Sequence, residues 1–504
     1  MKKKVIVIGA GIGGLSIAAR LLFKGFDVEI LEKNNTIGGK TNILKSGNFK
    51  FDLTASIPMF YKDYIDIFNF CQKDYRKYFS FITLDINYRC FYPDKSYYDF
   101  SNNFASLANT INRITKNNIK DKVGFYNFLT SSYNKYLIAN NTFLNRGFYK
   151  KTSFLNPKLI YNGIKLKVTT SSISNCRKYI SNKKLINYLM FQTMYIGASP
   201  YESSNIYNSI PASSQLEGLA YIKGGMYSYI KALQKLILDY GGHINTLRNV
   251  DKILFNKNKA IGVIQNGTAS YADIVICTSD YSYSINNLIK DINIKNMINP
   301  TETFKYSCST FILYLALNKK YPILKVNNIF INKNFKKNIQ AAFKGSLPLN
   351  PSLYIYCPSS IDLSICPNKY EELNVLVRVP NLLYKKITWS MSTINKLKSS
   401  ILDTLSNIES LEDIKEHIIY DNYLTPLDLR DRFNSFAGCA FGLSHSLDQS
   451  ILFRPQCTIP QIKNLYFTGS SIHPGNGVST VLKSSKICCD RICKDHILDK
   501  KINA

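Results

Sequence analysis

Residues Lys4 to Ile8 read as a short buried strand, because Val5-Ile6-Val7-Ile8 is a continuous β-branched run of the kind found in parallel sheets covered on both faces. It ends at Gly9-Ala10-Gly11-Ile12-Gly13-Gly14, which sets glycines 9, 11 and 14 in the spacing G-x-G-x-x-G. Leu15, Ala18, Ala19 and Leu22 then recur at helical spacing until Gly25, Phe26 to Leu31 alternates as a second strand, and Glu32 stands at its end. Each part has a physical task. Gly9 permits the tight turn, Gly11 lets the backbone approach a pyrophosphate, and Gly14 allows helix and strand to pack closely. The helix N-terminus offers free N–H groups and a partial positive charge to phosphate, and an acid about twenty residues on accepts ribose hydroxyls. The parts stand in the required order, so the chain opens with a dinucleotide-binding βαβ unit of Rossmann-like α/β type.

These features serve NAD and FAD alike. Thr36-Ile37-Gly38-Gly39-Lys40 follows directly on the acidic strand end, where flavin oxidases and desaturases carry a second glycine pair and a basic residue beside the cofactor. The reading is therefore FAD, with Gly9, Gly11, Gly14, Glu32, Gly39 and Lys40 as candidate contacts. There is no second G-x-G-x-x-G for a bound nicotinamide cofactor, so electrons are expected to leave for a quinone or oxygen.

Further along stand Phe51-Asp52-Leu53-Thr54-Ala55-Ser56, Tyr195-Ile196-Gly197-Ala198-Ser199-Pro200, Tyr221-Ile222-Lys223-Gly224-Gly225-Met226, Thr425-Pro426 with Arg430-Asp431-Arg432-Phe433, Phe453-Arg454-Pro455, and a glycine-rich stretch from Asn464 to Val478 containing His473-Pro474-Gly475. On these residues the chain resembles the bacterial and fungal type of phytoene desaturase, a family that includes dehydrosqualene desaturases and carotenoid isomerases. The likeness extends over nearly the whole chain. Read alone, the last stretch is a strand, a turn and a second helix N-terminus near Val478. The resemblance implies that it closes over the flavin, adding Gly469, Gly477 and Val478 to the cofactor contacts, with Val250 holding the adenine through its backbone. His473 is a candidate acid or base, although a histidine before Pro-Gly in a turn also serves geometry. Thr54 and Ala55 replace a family Gly and Pro, and Ser479 replaces a Pro, at positions where backbone conformation near the flavin is set.

Between the cofactor blocks a helix is predicted over Met226 to Tyr240, with strands at His243 to Thr246, Val250 to Phe255 and Ala272 to Thr278. Turns are expected at Lys257-Asn258 and Asn266-Gly267, the second a type I′ signal. The expected organisation is a discontinuous FAD-binding domain made of 1–75, 216–281 and 456–504. Inserts 76–215 and 282–455 form a mixed α+β substrate domain, in an amine-oxidase or phytoene-desaturase-like α/β fold.

The 504 residues carry 64 Lys plus Arg against 34 Asp plus Glu, a formal charge of +30. Such a surface attracts phosphate, in nucleic acid or anionic lipid. Lys, Asn, Ile and Tyr recur everywhere, as compositional drift also produces, and basic residues run throughout the chain, which weighs against a nucleic-acid partner. Segment 144–168 interleaves Arg146, Lys150, Lys151, Lys158, Lys165 and Lys167 with Phe148, Tyr149, Phe154, Leu155, Leu159, Ile160 and Tyr161, a mixture suited to a membrane interface or to an ordinary amphipathic hairpin. No run of about eighteen apolar residues offers a span. The expected location is the cytoplasm, peripherally on a membrane. The 12 cysteines show no repeated C-x-x-C, and Cys488, Cys489 and Cys493 with His496 fall in a helix where packing explains them, so no metal is expected.

The resemblance implies oxidation of a linear polyene such as phytoene or dehydrosqualene, with hydride transfer to flavin and proton loss elsewhere. A carotenoid isomerase or an amine oxidase is the alternative within the superfamily, His473-Pro474-Gly475 disfavouring the latter. A non-catalytic RNA- or lipid-binding protein is the alternative from another class.

Overall fold

The computed structural model describes residues 2–149, 152, 156–298 and 300–496. β1 (Lys4–Ile8), α1 (Ile12–Phe23) and β2 (Asp27–Leu31) form the expected βαβ unit, with Ile6 opposite Glu29 in parallel register. The first insert is mostly helical. It includes a short wall helix, α2 (Pro157–Leu166), which Asn156 caps by accepting from the Lys158 and Leu159 N–H groups. Lys150, Lys151, Phe154 and Leu155 of the interleaved basic and aromatic segment lie outside the described residues.

The chain returns through α3 (Met226–Asp239) and β3 (His243–Asn245). An antiparallel three-stranded meander follows, Val250–Asn256, Lys259–Gln265 and Thr268–Tyr271. Asn266 and Gly267 both have positive φ, as a type I′ turn requires. β4 (Ile274–Cys277) comes next, and after the second insert β5 (Leu465–Phe467) and α4 (Val478–His496) close the chain. The five parallel strands lie in the order β5-β4-β1-β2-β3. Segments hundreds of residues apart thus share one sheet, with α1, α3 and α4 packed in the same core cluster.

The inserts build a second sheet of seven strands, in the order Ile418–Leu424, Ser309–Leu317, Glu371–Val379, Leu353–Tyr356, Asn327–Phe330, Ile86–Phe91 and Tyr97–Ser101. Ile86–Phe91 of the first insert pairs in parallel with Asn327–Phe330 of the second, so neither insert forms the sheet alone. Strand Ser309–Leu317 is buried at every position, as in a strand covered on both faces. Tyr221, placed by sequence in a cofactor segment, packs in the core of this second half, and Phe81–Thr83 pairs with Ala220–Ile222. No helix among the described residues is long and apolar enough to cross a membrane.

Candidate cofactor and substrate site

A continuous cavity of about 520 Å³ runs from the carboxyl ends of β1 and β2 into the second half of the molecule. At its first end Gly9 turns the chain with φ +100°, a conformation open to glycine. A Cβ on Gly14 would lie 2.0 Å from the Gly9 carbonyl oxygen, so the helix approaches the turn as closely as the sequence reading requires. A Cβ on Gly11 would meet nothing within 4 Å, because that face borders the cavity. Glu32 is buried, with Oε2 accepting the Ala10 N–H at 2.8 Å and Oε1 accepting two N–H bonds from Asn34, each at 2.9 Å. A carboxylate has about four acceptor positions. Oε2 is therefore the oxygen with room for a further donor.

Gly38 and Gly39 lie against this turn. The Gly38 N–H donates to the Ala10 carbonyl, and a Cβ on Gly39 would stand 3.2 Å from the Gly11 Cα. Lys40 extends from there into the cavity wall and donates to the Ala440 carbonyl at 3.1 Å. Burial lowers its pKa and Asp280 opposes that shift. Burial raises the pKa of Asp280, which accepts from Ser471 Oγ at 2.8 Å. Val250, Gly469, Gly477 and Val478 all line the cavity, so the N-terminus of α4 faces it from the side opposite Glu32's strand. Next to them Asn476 is buried and lines the cavity, yet its Oδ1 and Nδ2 have no hydrogen-bond partner. A buried amide left with donor and acceptor both open fits a ligand carrying both.

None of the three departures, Thr54, Ala55 and Ser479, has a positive φ. The Thr54 hydroxyl donates to the Lys40 carbonyl at 2.8 Å. Ser479 donates to Asp63, which also pairs with Lys483. The Phe51-Asp52 and Gly224-Gly225-Met226 motifs prove to be one joint. Asp52 Oδ2 accepts from the Met226 N–H at 3.0 Å and from Tyr356 Oη at 3.2 Å, capping α3, while a Cβ on Gly225 would lie 2.8 Å from Asp52 Oδ1. Burial pushes the Asp52 carboxyl up to about 7, with the Met226 and Tyr356 hydrogen bonds opposing.

His473 does not line the cavity. Its Nε2 lies 3.0 Å from the Phe143 carbonyl and 3.1 Å from that of Arg146, and burial pushes the imidazole down to about 4. That geometry is a strut between the C-terminal turn and the first insert. The histidine that does face the cavity is His445, which sequence reading missed; burial first and Arg454 second hold it well below its ordinary pKa and so neutral. Arg454 is itself buried and donates to the carbonyls of Leu443, Ser444 and Ser470, pinning the loop beside Gly469. The cysteines Cys488 and Cys489 are buried in α4, and His496 contacts Tyr466.

The cavity also has an apolar lining that includes Tyr195, Leu376, Phe143, Leu166, Val168 and Ile206, whereas Phe433 lies toward the nucleotide end, its neighbours Arg432 and Asn434 accepting from Asn34 and Lys33. Arg378 enters the cavity from strand Glu371–Val379, stacked 4.8 Å over Phe441 and donating to Thr310. Among the described residues no carboxylate pairs with it. Its charge is hostile to an ammonium group in this chamber.

The chain matches the model of the family described as flavin containing amine oxidoreductase over residues 12–493. It belongs to that family. Within these flavoproteins it is similar to the 4,4'-diapophytoene desaturase (4,4'-diaponeurosporene-forming) of Staphylococcus haemolyticus, 35% identical over 97% of this chain and 99% of the relative. It is also 34% identical to the Staphylococcus aureus protein of the same name, over 98% and 99% of the two chains. The resemblance to carotenoid desaturases therefore holds along the full length. Among solved structures, an oxidoreductase from Methanosarcina mazei superposes with a TM-score of 0.61 at 16% identity over 96% of this chain and 98% of that one. Cyclohexylamine oxidase from Brevibacterium oxydans gives 0.60 at 12% identity over 98% and 99%. These two share the fold of this flavoenzyme.

Proposed function

We propose that the chain is an FAD-dependent desaturase of a linear thirty-carbon polyene precursor of the dehydrosqualene type. The observation that carries this reading is the single cavity that joins a dinucleotide site at Gly9–Glu32 to an apolar chamber. FAD fits the residues present. The α1 N-terminus at Gly11 would meet the pyrophosphate, Glu32 Oε2 would take a ribose hydroxyl, the backbone of Val250 would border the adenine, and Gly39, Lys40, Gly469, Gly477 and Val478 would stand beside the flavin. Asn476 has the open donor and acceptor for the cofactor's polar edge. The cofactor half is drawn from three segments, 2–75, 226–281 and 456–496, joined to the second half through Phe51, Leu53 and Tyr221, and the inserts supply most of the chamber.

Bound FAD would supply the two-electron acceptor for hydride from an allylic carbon, while the adjacent carbon gives up a proton as the double bond forms. The residues position and shield the chain. Tyr195, Leu376, Phe143 and Ile206 exclude water and hold the chain, and His445, kept neutral, adds no charge to the chamber. Arg378 selects against cationic amines. The test is anaerobic addition of diapophytoene or putrescine to the yellow holoprotein. Bleaching by the polyene alone is expected, and bleaching by the amine alone refutes the assignment.

The substrate's insolubility bears on location. At about 0.8 kcal/mol per CH₂, a thirty-carbon chain brought into water costs on the order of 20 kcal/mol. The enzyme accordingly works at a membrane surface and loads from the bilayer, with a quinone or oxygen re-oxidising the cofactor.

A further inference from the structure

We infer that the outer face of α2 docks the protein on an anionic bilayer, next to the wall through which the apolar chamber is reached. The inference deepens the desaturase reading and rests on it for the identity of the cargo. α2 has two unlike faces. Leu159 and Leu166 turn inward and cluster with Ala139, Phe143 and Phe148, and Leu166 with the adjacent Val168 also lines the cavity. On the outside, Ile160, Tyr161 and Ile164 are 49%, 65% and 72% exposed. These large apolar side chains leave half to three-quarters of their surface uncovered in the isolated molecule.

Lys158, Lys165 and Lys167 are exposed around the same helix, and Arg146 is exposed beside the cluster, 5.6 Å over the Phe148 ring. The acids are less evenly placed than the bases. No Asp or Glu occurs between Asp121 and Glu202, so α2 and the segments on either side of it contribute no negative charge to this face. Apolar residues with lysines that reach around them form the pattern of a helix lying in a lipid interface, the rings and aliphatic chains in the acyl boundary and the ammonium groups among the phosphates. A nucleic acid would match the lysines and leave Ile160 and Ile164 without a role. Ile451 and Leu452 pack against the inner cluster, and Ile451 lines the cavity with Leu166 and Val168. A chain leaving the bilayer at α2 therefore reaches the chamber across an apolar border.

The test uses the full-length holoprotein and sedimentation with vesicles of phosphatidylcholine, with and without phosphatidylglycerol. Binding is expected to need phosphatidylglycerol. A Lys158→Gln, Lys165→Gln, Lys167→Gln triple variant should weaken it about a hundredfold, at roughly fivefold per lysine. Ile160→Ser with Ile164→Ser, which leaves the charge unchanged, should weaken it by more than about tenfold. Both variants should retain wild-type activity on diapophytoene dispersed in detergent. Vesicle binding unaffected by the isoleucine pair overturns the inference, as does binding lost only with the lysines and transferred to single-stranded RNA. Wild-type protein inactive in detergent would refute the desaturase reading, and the vesicle data would still decide the docking face.

Discussion

Gly11 and Gly14 belong to one motif, yet the structure gives them different work, and alanine at each position separates the two. At Gly11 the backbone is extended, with φ −70° and ψ 175°, and a methyl group meets no atom within 4 Å. Replacing glycine at a helix N-cap with alanine costs roughly 0.5–1 kcal/mol, the alanine penalty less that of glycine itself, and the stiffer unfolded chain returns about 0.4–1 kcal/mol. The apoprotein of Gly11→Ala should thus unfold within about 1 kcal/mol of the parent. The methyl group stands in the cavity where the pyrophosphate must meet the α1 N-terminus. Losing two charge-assisted hydrogen bonds, at about 1.5–3 kcal/mol each, raises the Kd for FAD by about 10²–10⁴ at 1.4 kcal/mol per decade. Gly14→Ala instead drives a methyl to 2.0 Å from the Gly9 carbonyl oxygen. It should destabilise the apoprotein itself by about 1–3 kcal/mol or more. Urea unfolding of both apoproteins, with FAD titrated by quenching of its fluorescence, reads the two effects separately. An unchanged Kd for Gly11→Ala, or equal destabilisation by both substitutions, would refute the reasoning.

Other positions make sharper demands on pH and packing. The His473 imidazole is depressed from 6.5 to about 4, so the neutral form is favoured on folding. Its contribution is complete above pH 6.5 and is lost as pH falls from there toward 4, about 3 kcal/mol in all. Urea midpoints of His473→Gln should show a correspondingly flatter acid limb, the remainder belonging partly to His445. Asp52, raised from 3.8 to about 7, has the opposite sign. Burying its charge costs stability as pH rises through that window, so Asp52→Asn should be at least as stable as the parent at pH 8, whereas Asp52→Ala strands the Met226 N–H and loses about 1–3 kcal/mol. Arg454→Met frees three carbonyls beside Gly469 and should lower the flavin content of purified protein, measured by absorbance after gel filtration.

What sequence could reveal followed the range of the interactions. The Gly9 to Glu32 unit was legible because every contact that defines it lies within about two dozen residues, and Asn266-Gly267 was legible because a two-residue turn carries its own φ requirement. The partnership of Asp52 with Met226 was not, since the two motifs are 174 positions apart and meet through one hydrogen bond. The pairing of Ile86–Phe91 with Asn327–Phe330 was hidden for the same reason. Histidine chemistry misled in an instructive way. His473 drew notice through its Pro-Gly neighbours, but its ring is turned toward the Phe143 and Arg146 carbonyls, while His445 reaches the cavity from a stretch with no motif around it. Arg378 had no signal either, because its place in the cavity, over Phe441 and beside Thr310, is set by segments far apart in sequence.

The most direct test of the central claim is the product formed from diapophytoene by the FAD-loaded protein in detergent with a quinone present. Mass spectrometry should show the loss of hydrogen in pairs, together with absorbance moving to longer wavelength as conjugation grows. A geometric isomer of unchanged mass, or an untouched polyene alongside an oxidised amine, would contradict it.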